Sequence, residues 1–255
     1  MVYFVGAGPG AVDLITVRGS EMLKIADVII YAGSLVNEEL LNLRKAGCEV
    51  YNSASMTLEQ VMDVIISSEN SNKTTIRLHT GDPSIYGAIR EQIDLLNEYK
   101  IRYEVVPGVS SFCAAAAAMN VEYTLPGVSQ TVIITRAQGR TSVPEKQSIK
   151  RLAGHDASMV IFLSMGLLKS VTAQLVEGGY SADSPAAIVY KASWNDQKVI
   201  HTTVEGLENA AKEHDITKTA LVLVGGFLGD DYERSLLYHP EFSHEFRKPE
   251  LQNEN

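Results

Sequence analysis

The chain has 255 residues, 45% hydrophobic and 21% charged, a composition that excludes a disordered, collagenous or fibrous protein. Lys and Arg number 22 against 31 Asp and Glu, leaving a net charge of −9, so nucleic acid and anionic lipid are repelled unless a local basic patch overrides the global field. Two cysteines, Cys48 and Cys113, exclude a disulfide framework and a four-thiolate zinc site. No apolar run approaches the roughly 18–20 residues of a membrane span. The opening Met1-Val-Tyr-Phe-Val-Gly has no basic segment before its apolar run, so a soluble, cytoplasmic protein is expected.

In chain order, short β-branched runs alternate with helical patterns. Residues 2–5 read as a strand. Residues 16–26 place Val17, Met22, Leu23 and Ala26 at helical spacing, and 28–31 form the next strand. Asn37 is expected to cap a helix through Ala46, with Glu38 and Glu39 in its first turn and Gly47 as its stop. A short strand at 48–51 follows. Thr57 and Gln60 then make a capping-box pattern ahead of Val61, Val64 and Ile65. Strand 74–78, helix 85–99, strand 102–106 and helix 110–119 complete a first α/β pattern, expected to be a parallel sheet covered by helices. A break at 120–128, with Pro126 and Gly127, places a domain boundary between 1–120 and 121–238. The second pattern runs through strand 131–135, a helix near 146–152, strand 158–163 and helix 167–177, which stops at Gly178-Gly179. Strand 186–190, strand 198–203, helix 207–214 and strand 220–224 complete it. Trp194-Asn195-Asp196 reads as a hairpin turn, so the second sheet is expected to be mixed. Residues 239–255 read as a polar, frayed tail.

Three loops between strand and helix carry the chemistry. Gly6-Ala7-Gly8-Pro9-Gly10-Ala11 nearly matches a dinucleotide fingerprint. However, Pro9-Gly10 and Asp13 delay the helix to about Thr16, and no acidic residue ends the second strand. The second loop is His79-Thr80-Gly81-Asp82-Pro83-Ser84-Ile85-Tyr86-Gly87, and the third is Pro107-Gly108-Val109-Ser110-Ser111. Each has an alternative reading as a plain turn and helix cap. Together they would line the carboxyl edge of one parallel sheet, where open α/β folds bind ligands. There is no Walker loop, no Gly-x-Ser-x-Gly elbow and no His-Glu-x-x-His, so no nucleophile, catalytic base or metal site is assigned. His79 is read as a structural hydrogen-bonder.

At these loops the sequence resembles the tetrapyrrole methylases. The matching pieces are Val5-Gly6-Ala7-Gly8-Pro9-Gly10 with Asp13-Leu14-Ile15-Thr16, Thr80-Gly81-Asp82-Pro83, Pro107-Gly108-Val109-Ser110-Ser111 and Met165-Gly166-Leu167, and the resemblance spans about residues 1–230. It implies two α/β domains with the active-site cleft between them, S-adenosyl-L-methionine as cofactor, a small-molecule tetrapyrrole substrate and a homodimer. It further implies that Pro9, Thr80, Gly81, Asp82, Ile85, Ser110, Ser111, Met165 and Ala192 contact the cofactor. Ala32-Gly33-Ser34-Leu35-Val36 and Ser53-Ala54-Ser55-Met56-Thr57 are similar to the members acting at carbon 11 of precorrin-4 or its cobalt complex, in corrin biosynthesis. Members acting on uroporphyrinogen III carry an acidic residue near 32–33 and a basic one near 53–55, and this chain has neither.

A tetrapyrrole with acetate and propionate arms is strongly anionic, so local positive charge is expected where it binds. Residues 131–151 hold Arg136, Arg140, Lys146, Lys150 and Arg151 against Glu145. Guanidinium forks suit carboxylates, and Arg136 and Arg140 are expected to meet them, against the reading of a solvated loop. Three readings remain beside this one: methylation of another tetrapyrrole position, a nicotinamide or flavin oxidoreductase using the first glycine loop, and a cofactor-binding module without catalysis.

Overall fold

The computed structural model describes residues 1–240 and 242–248, with the side chains of Ser34 and Tyr238 left aside. The chain is α/β and holds two five-stranded sheets. It divides into two compact units, one of 1–119 with Val189–Val199 and one of 120–188 with 200–255. The segment Val189–Val199, which the sequence places in the second domain, therefore clusters with the first.

In the first unit, strands β1 (Val2–Gly6), β2 (Val28–Tyr31), β3 (Glu49–Asn52), β4 (Thr75–His79) and β5 (Tyr103–Val106) form a sheet of order β3-β2-β4-β1-β5. Every neighbouring pair is parallel. Helices α1 (Val17–Ile25), α2 (Leu58–Asn70), α3 (Ile89–Glu98) and α4 (Ser111–Met119) connect the strands. β2 is buried at every position and reads as an unbroken apolar run, whereas β4, equally buried, alternates Thr75, Ile76, Arg77, Leu78 and His79. One face packs Val5, Leu23, Ile29, Ile76 and Leu78 together, and the other packs Phe4, Ile30, Val61, Ile65 and Leu96.

Local signals set the helix starts. Thr16 caps α1 by accepting from the Gly19 N–H, and Thr57 with Gln60 forms a reciprocal capping box on α2. Two expected helices are altered. The helix expected at 37–46 is a 3-10 turn, Glu38–Leu43, closed by Leu40 N–H to Asn37 O and Arg44 N–H to Leu41 O. Only Leu40 is buried in it, and so short a segment with one anchor gains more from tight i to i+3 closure than from further α turns. Helix α3 begins at Ile89 instead of Ile85, because Tyr86 (φ 56°) and Ala88 (φ 49°) are left-handed. The residues before it form a turn around Asp82.

In the second unit, β6 (Val132–Arg136), α5 (Ile149–Ala153), β7 (Ser158–Phe162), α6 (Leu168–Gly178), β8 (Pro185–Tyr190), β9 (Lys198–Thr203), α7 (Leu207–Glu213) and β10 (Ala220–Val224) follow. The sheet order is β6-β7-β10-β8-β9, with β6–β7 parallel and β7–β10 antiparallel, so this sheet is mixed. The helix expected near 146–152 splits. Glu145–Gln147 is a 3-10 turn, and Ser148 turns extended and caps α5 through the Arg151 N–H. Tyr180 is buried, and its hydroxyl donates to Ala157 O, anchoring the segment after α6 to the start of β7.

Of the tail expected at 239–255, residues 241 and 249–255 lie outside the described residues. Its described part is held rather than frayed: the Arg247 guanidinium donates to the carbonyls of Leu237, His239 and Phe242. Among the described residues, no helix is long and apolar enough to cross a membrane.

Ile76 lies at the middle of β4 with 0% exposure. Its replacement by Ala is expected to cost about 2–5 kcal/mol of unfolding free energy, read as a lower urea midpoint by circular dichroism. An unchanged midpoint would contradict the central place of β4.

Candidate functional site

The carboxyl ends of β1, β4 and β5 lie side by side, and their loops are bonded to one another. Gly8 and Gly81 exchange backbone hydrogen bonds of 3.3 and 2.9 Å. Gly6, Gly81 and Gly108 meet with no room between them. A Cβ on Gly6 would lie 2.5 Å from Gly108 Cα, and one on Gly108 would lie 2.2 Å from Gly81 O. Asp82 closes the group. One carboxylate oxygen accepts from the Gly108 N–H at 2.8 Å, and the other accepts from the Ser84 N–H at 2.8 Å and from the Ser84 hydroxyl. Burial raises the Asp82 pKa, but the bonds from Ser84 and Gly108 outweigh it and leave the carboxyl below its ordinary range.

The neighbouring loops are tied to the same edge. The Thr80 hydroxyl donates to Leu35 O, the Asn37 amide donates to Gly10 O at 3.0 Å, and the Ser53 hydroxyl donates to Tyr31 O at 3.0 Å. Ser110 is buried at the start of α4, its carbonyl accepting from the Cys113 and Ala114 N–H groups. Gly33 packs on Ala54: a Cβ there would lie 2.8 Å from the Ala54 Cβ. The two positions where some relatives place an acid and a base are thus filled by a tight contact between small residues.

Of the residues singled out in the sequence, Pro9, Thr80, Gly81, Asp82, Ile85, Ser110, Ser111 and Ala192 all belong to the first unit. Arg136, Arg140 and Met165 belong to the second. There, the Ala137 N–H donates to the Ser164 hydroxyl at 2.8 Å, which itself donates to Phe162 O, so the ends of β6 and β7 are held together. Leu163 between them is left-handed (φ 52°). Arg136 spends its guanidinium on its own loop, donating to the carbonyls of Ala137, Thr141 and Ser142. Arg140, on that same loop, is exposed. Lys150, another of the basic cluster, is paired with Glu177 at 2.9 Å.

Several participants were not singled out. Trp194 and Ser193 bond to the first glycine loop, and Asn37 has a second role beside its cap. Arg77, on β4, is buried and has no carboxylate partner among the described residues; it donates to Ile30 O at 3.0 Å and to Gln92 Oε1 at 3.1 Å. Gln92 in turn donates to the carbonyl of left-handed Ala88. Burial pushes the Arg77 pKa down to about 10, which still leaves it charged. The lone tryptophan is the available signal for the first of these; Arg77 has none, since in the alternation Thr75-Ile76-Arg77-Leu78-His79 it reads as one residue of a solvated face.

The loops at 7–11, 80–87 and 107–111 contain no Lys or Arg. Their polar side chains are five hydroxyls, from Thr80, Ser84, Tyr86, Ser110 and Ser111, and one carboxylate, from Asp82, beside the backbone groups. Among the described residues, no group of three or more His, Cys, Asp or Glu is arranged to hold a metal ion.

A two-unit α/β chain with three glycine-bearing loops on one sheet edge defines a class, and the comparisons with known proteins give it a name. The family model for Tetrapyrrole (Corrin/Porphyrin) Methylases matches residues 1–208, and the chain belongs to that family. Among its relatives, the cobalt-precorrin-4 C(11)-methyltransferase of Methanocaldococcus jannaschii is 52% identical over 97% of this chain and 96% of the relative. The precorrin-4 C(11)-methyltransferase of Pseudomonas aeruginosa is 42% identical over 98% and 99%. The X-ray structure of a cobalt precorrin-4 methyltransferase superposes with a TM-score of 0.88 at 45% identity, covering 90% of this chain and 96% of that one. A uroporphyrin-III C-methyltransferase from Thermus thermophilus, solved in complex with S-adenosyl homocysteine, gives 0.75 at 25% identity, covering 89% and 98%.

His79, which ends β4, is 3% exposed, and among the described residues its Nε2 has no hydrogen-bond partner. Burial, and then the charge on Arg77, push its pKa from 6.5 down to about 3. The unfolded chain therefore binds a proton that the folded chain refuses over this range. Stability is expected to fall as pH drops from 6.5 toward 3, by up to about 1.4 kcal/mol per pH unit from this group. His79→Gln should flatten that slope in urea titrations at a series of pH values, and an unchanged slope would refute the assignment.

Proposed function

We infer that this chain is an S-adenosyl-L-methionine-dependent methyltransferase acting at carbon 11 of precorrin-4, or of its cobalt complex, in cobalamin biosynthesis. The observation that carries this reading is identity of 52% to such an enzyme along 97% of the chain. Bonding of the three matching loops into one edge supports it. An oxidoreductase using a dinucleotide is disfavoured because α1 starts only at Val17, beyond the glycine loop, and β2 ends at Tyr31 with no acidic residue for a ribose.

Pro9, Thr80, Gly81, Asp82, Ile85, Ser110, Ser111, Met165 and Ala192 are assigned to the cofactor. When bound, S-adenosylmethionine supplies a methyl group already activated on a sulfonium. Transfer of this kind asks the protein for placement rather than for a nucleophilic side chain. The chain provides placement through backbone loops that cannot shift singly, since Gly8, Gly81, Asp82 and Gly108 are mutually bonded. Asp82, held ionised by Ser84 and Gly108, is a fixed negative charge that suits a ligand cationic at its amino group and sulfur.

Arg136 and Arg140 are assigned to the substrate carboxylates. Arg140 meets them directly, and Arg136 shapes the loop that presents it. The working form is assigned as a cytoplasmic homodimer, and light scattering after gel filtration tests the dimer.

Arg140→Ala is expected to raise KM for the tetrapyrrole about tenfold or more, the scale of a lost charged hydrogen bond, with KM for the cofactor unchanged. Unchanged affinity for the tetrapyrrole would refute the assignment. The activity itself is tested by incubating precorrin-4, with and without cobalt, with methyl-labelled cofactor and locating the new methyl by NMR. Label at carbon 11 is expected; label elsewhere, or none, overturns the reading.

A further inference from the structure

We propose that Trp194 is a positioning residue for the cofactor, locking the Gly8-Pro9-Gly10 turn and Ala192 into one fixed surface. The proposal rests on the cofactor reading above.

Trp194 is the only tryptophan in the chain. Its indole N–H donates to Pro9 O at 3.0 Å, and one residue before it the Ser193 hydroxyl accepts from the Ala11 N–H at 3.0 Å. The indole lies directly on Gly10: a Cβ there would fall 2.1 Å from the ring atoms Cδ1 and Nε1. From its other side Gly10 is held by the Asn37 amide on its carbonyl. The turn therefore has no freedom to move independently of the segment around residue 194.

That segment is itself held in an unfavourable shape. Lys191 (φ 44°) and Ser193 (φ 71°) are both left-handed, and they flank Ala192, which is buried. Non-glycine residues persist in this region only where their surroundings over-determine them, and such positions cluster at ligand sites. Here the surroundings are named. Lys191 pairs with Asp196 at 2.6 Å, and its ammonium lies 5.3 Å from the centres of both the Tyr190 and Trp194 rings. The Ser193 N–H donates to Gln197 Oε1 at 2.6 Å. The bonds to Pro9 and Ala11, with the indole packed on Gly10, connect this strained turn to the glycine loop. They join two pieces assigned to the cofactor, Pro9 and Ala192, through a residue that makes no cofactor contact of its own in that assignment. The indole is accordingly a reporter as well as a lock, since a ligand seated on the turn alters the surroundings of the only tryptophan.

The test is titration of the full chain with S-adenosylhomocysteine, followed by calorimetry and by tryptophan emission. Wild type is expected to show a saturable emission change whose midpoint equals the calorimetric Kd. Trp194→Phe keeps an aromatic ring, though a smaller one, and loses the indole N–H. It should weaken binding about fivefold, the scale of one hydrogen bond, raising KM for the cofactor while kcat at saturation stays within twofold. A merely structural role would lower Tm and leave both Kd and emission unmoved. Emission unchanged at saturation together with a Trp194→Phe Kd within twofold of wild type overturns the proposal. Absence of any binding heat with wild type overturns the cofactor reading, and this proposal with it.

Discussion

Three stretches of backbone touch at the carboxyl edge of the first sheet with no side chain between them. The space at Gly6 and Gly108 is smaller than a methyl group, since a Cβ on either would fall within 2.5 Å of a neighbouring backbone atom. The rest of the edge depends on that closeness. It lets the Gly108 N–H reach Asp82, lets Gly8 pair with Gly81, and sets Ser110 where α4 begins. The loops are consequently fixed by main-chain bonds, which survive most changes of side chain. A family that must place one cofactor against many substrates is well served by such an edge, because specificity can vary elsewhere without disturbing it.

Much of this was legible in the sequence, for physical reasons that can be stated. Runs such as Val28–Tyr31 read as a strand because consecutive apolar residues suit a segment buried on both faces. Caps such as Thr16 and Thr57 act over three residues, so their partners are visible beside them. The departures are of a different kind. The start of α3 depends on left-handed Tyr86 and Ala88, a conformation that neither residue type announces. The tight turn at Glu38–Leu43 depends on which single leucine the core accepts. Arg77 is a buried cation stabilised by a neutral carbonyl and a neutral amide, and nothing in the order of residues distinguishes it from a solvated arginine. Bonds such as Trp194 to Pro9 join residues 185 positions apart, beyond the range of any local pattern.

The charge distribution shows the same limit. A cluster of five basic residues at 131–151 stands out in a chain of net charge −9. Composition alone treats the five as equivalent. The structure separates them: Lys150 is neutralised by Glu177, Arg136 is consumed by three carbonyls of its own loop, and Arg140 remains exposed on that loop. Surface pairs of the first kind contribute little to stability. The second kind fixes a shape, and the third presents a charge.

The first unit is not continuous in the chain. It needs Val189–Val199, which leaves the ribosome long after Met119. During synthesis, at about 5–20 residues per second, the parallel sheet has several seconds in which its glycine loop stands without Ser193 and Trp194. The nascent protein thus carries an unfinished edge until most of its second half exists. Any truncation before residue 189 would leave the first unit without the segment that bonds to its glycine loop.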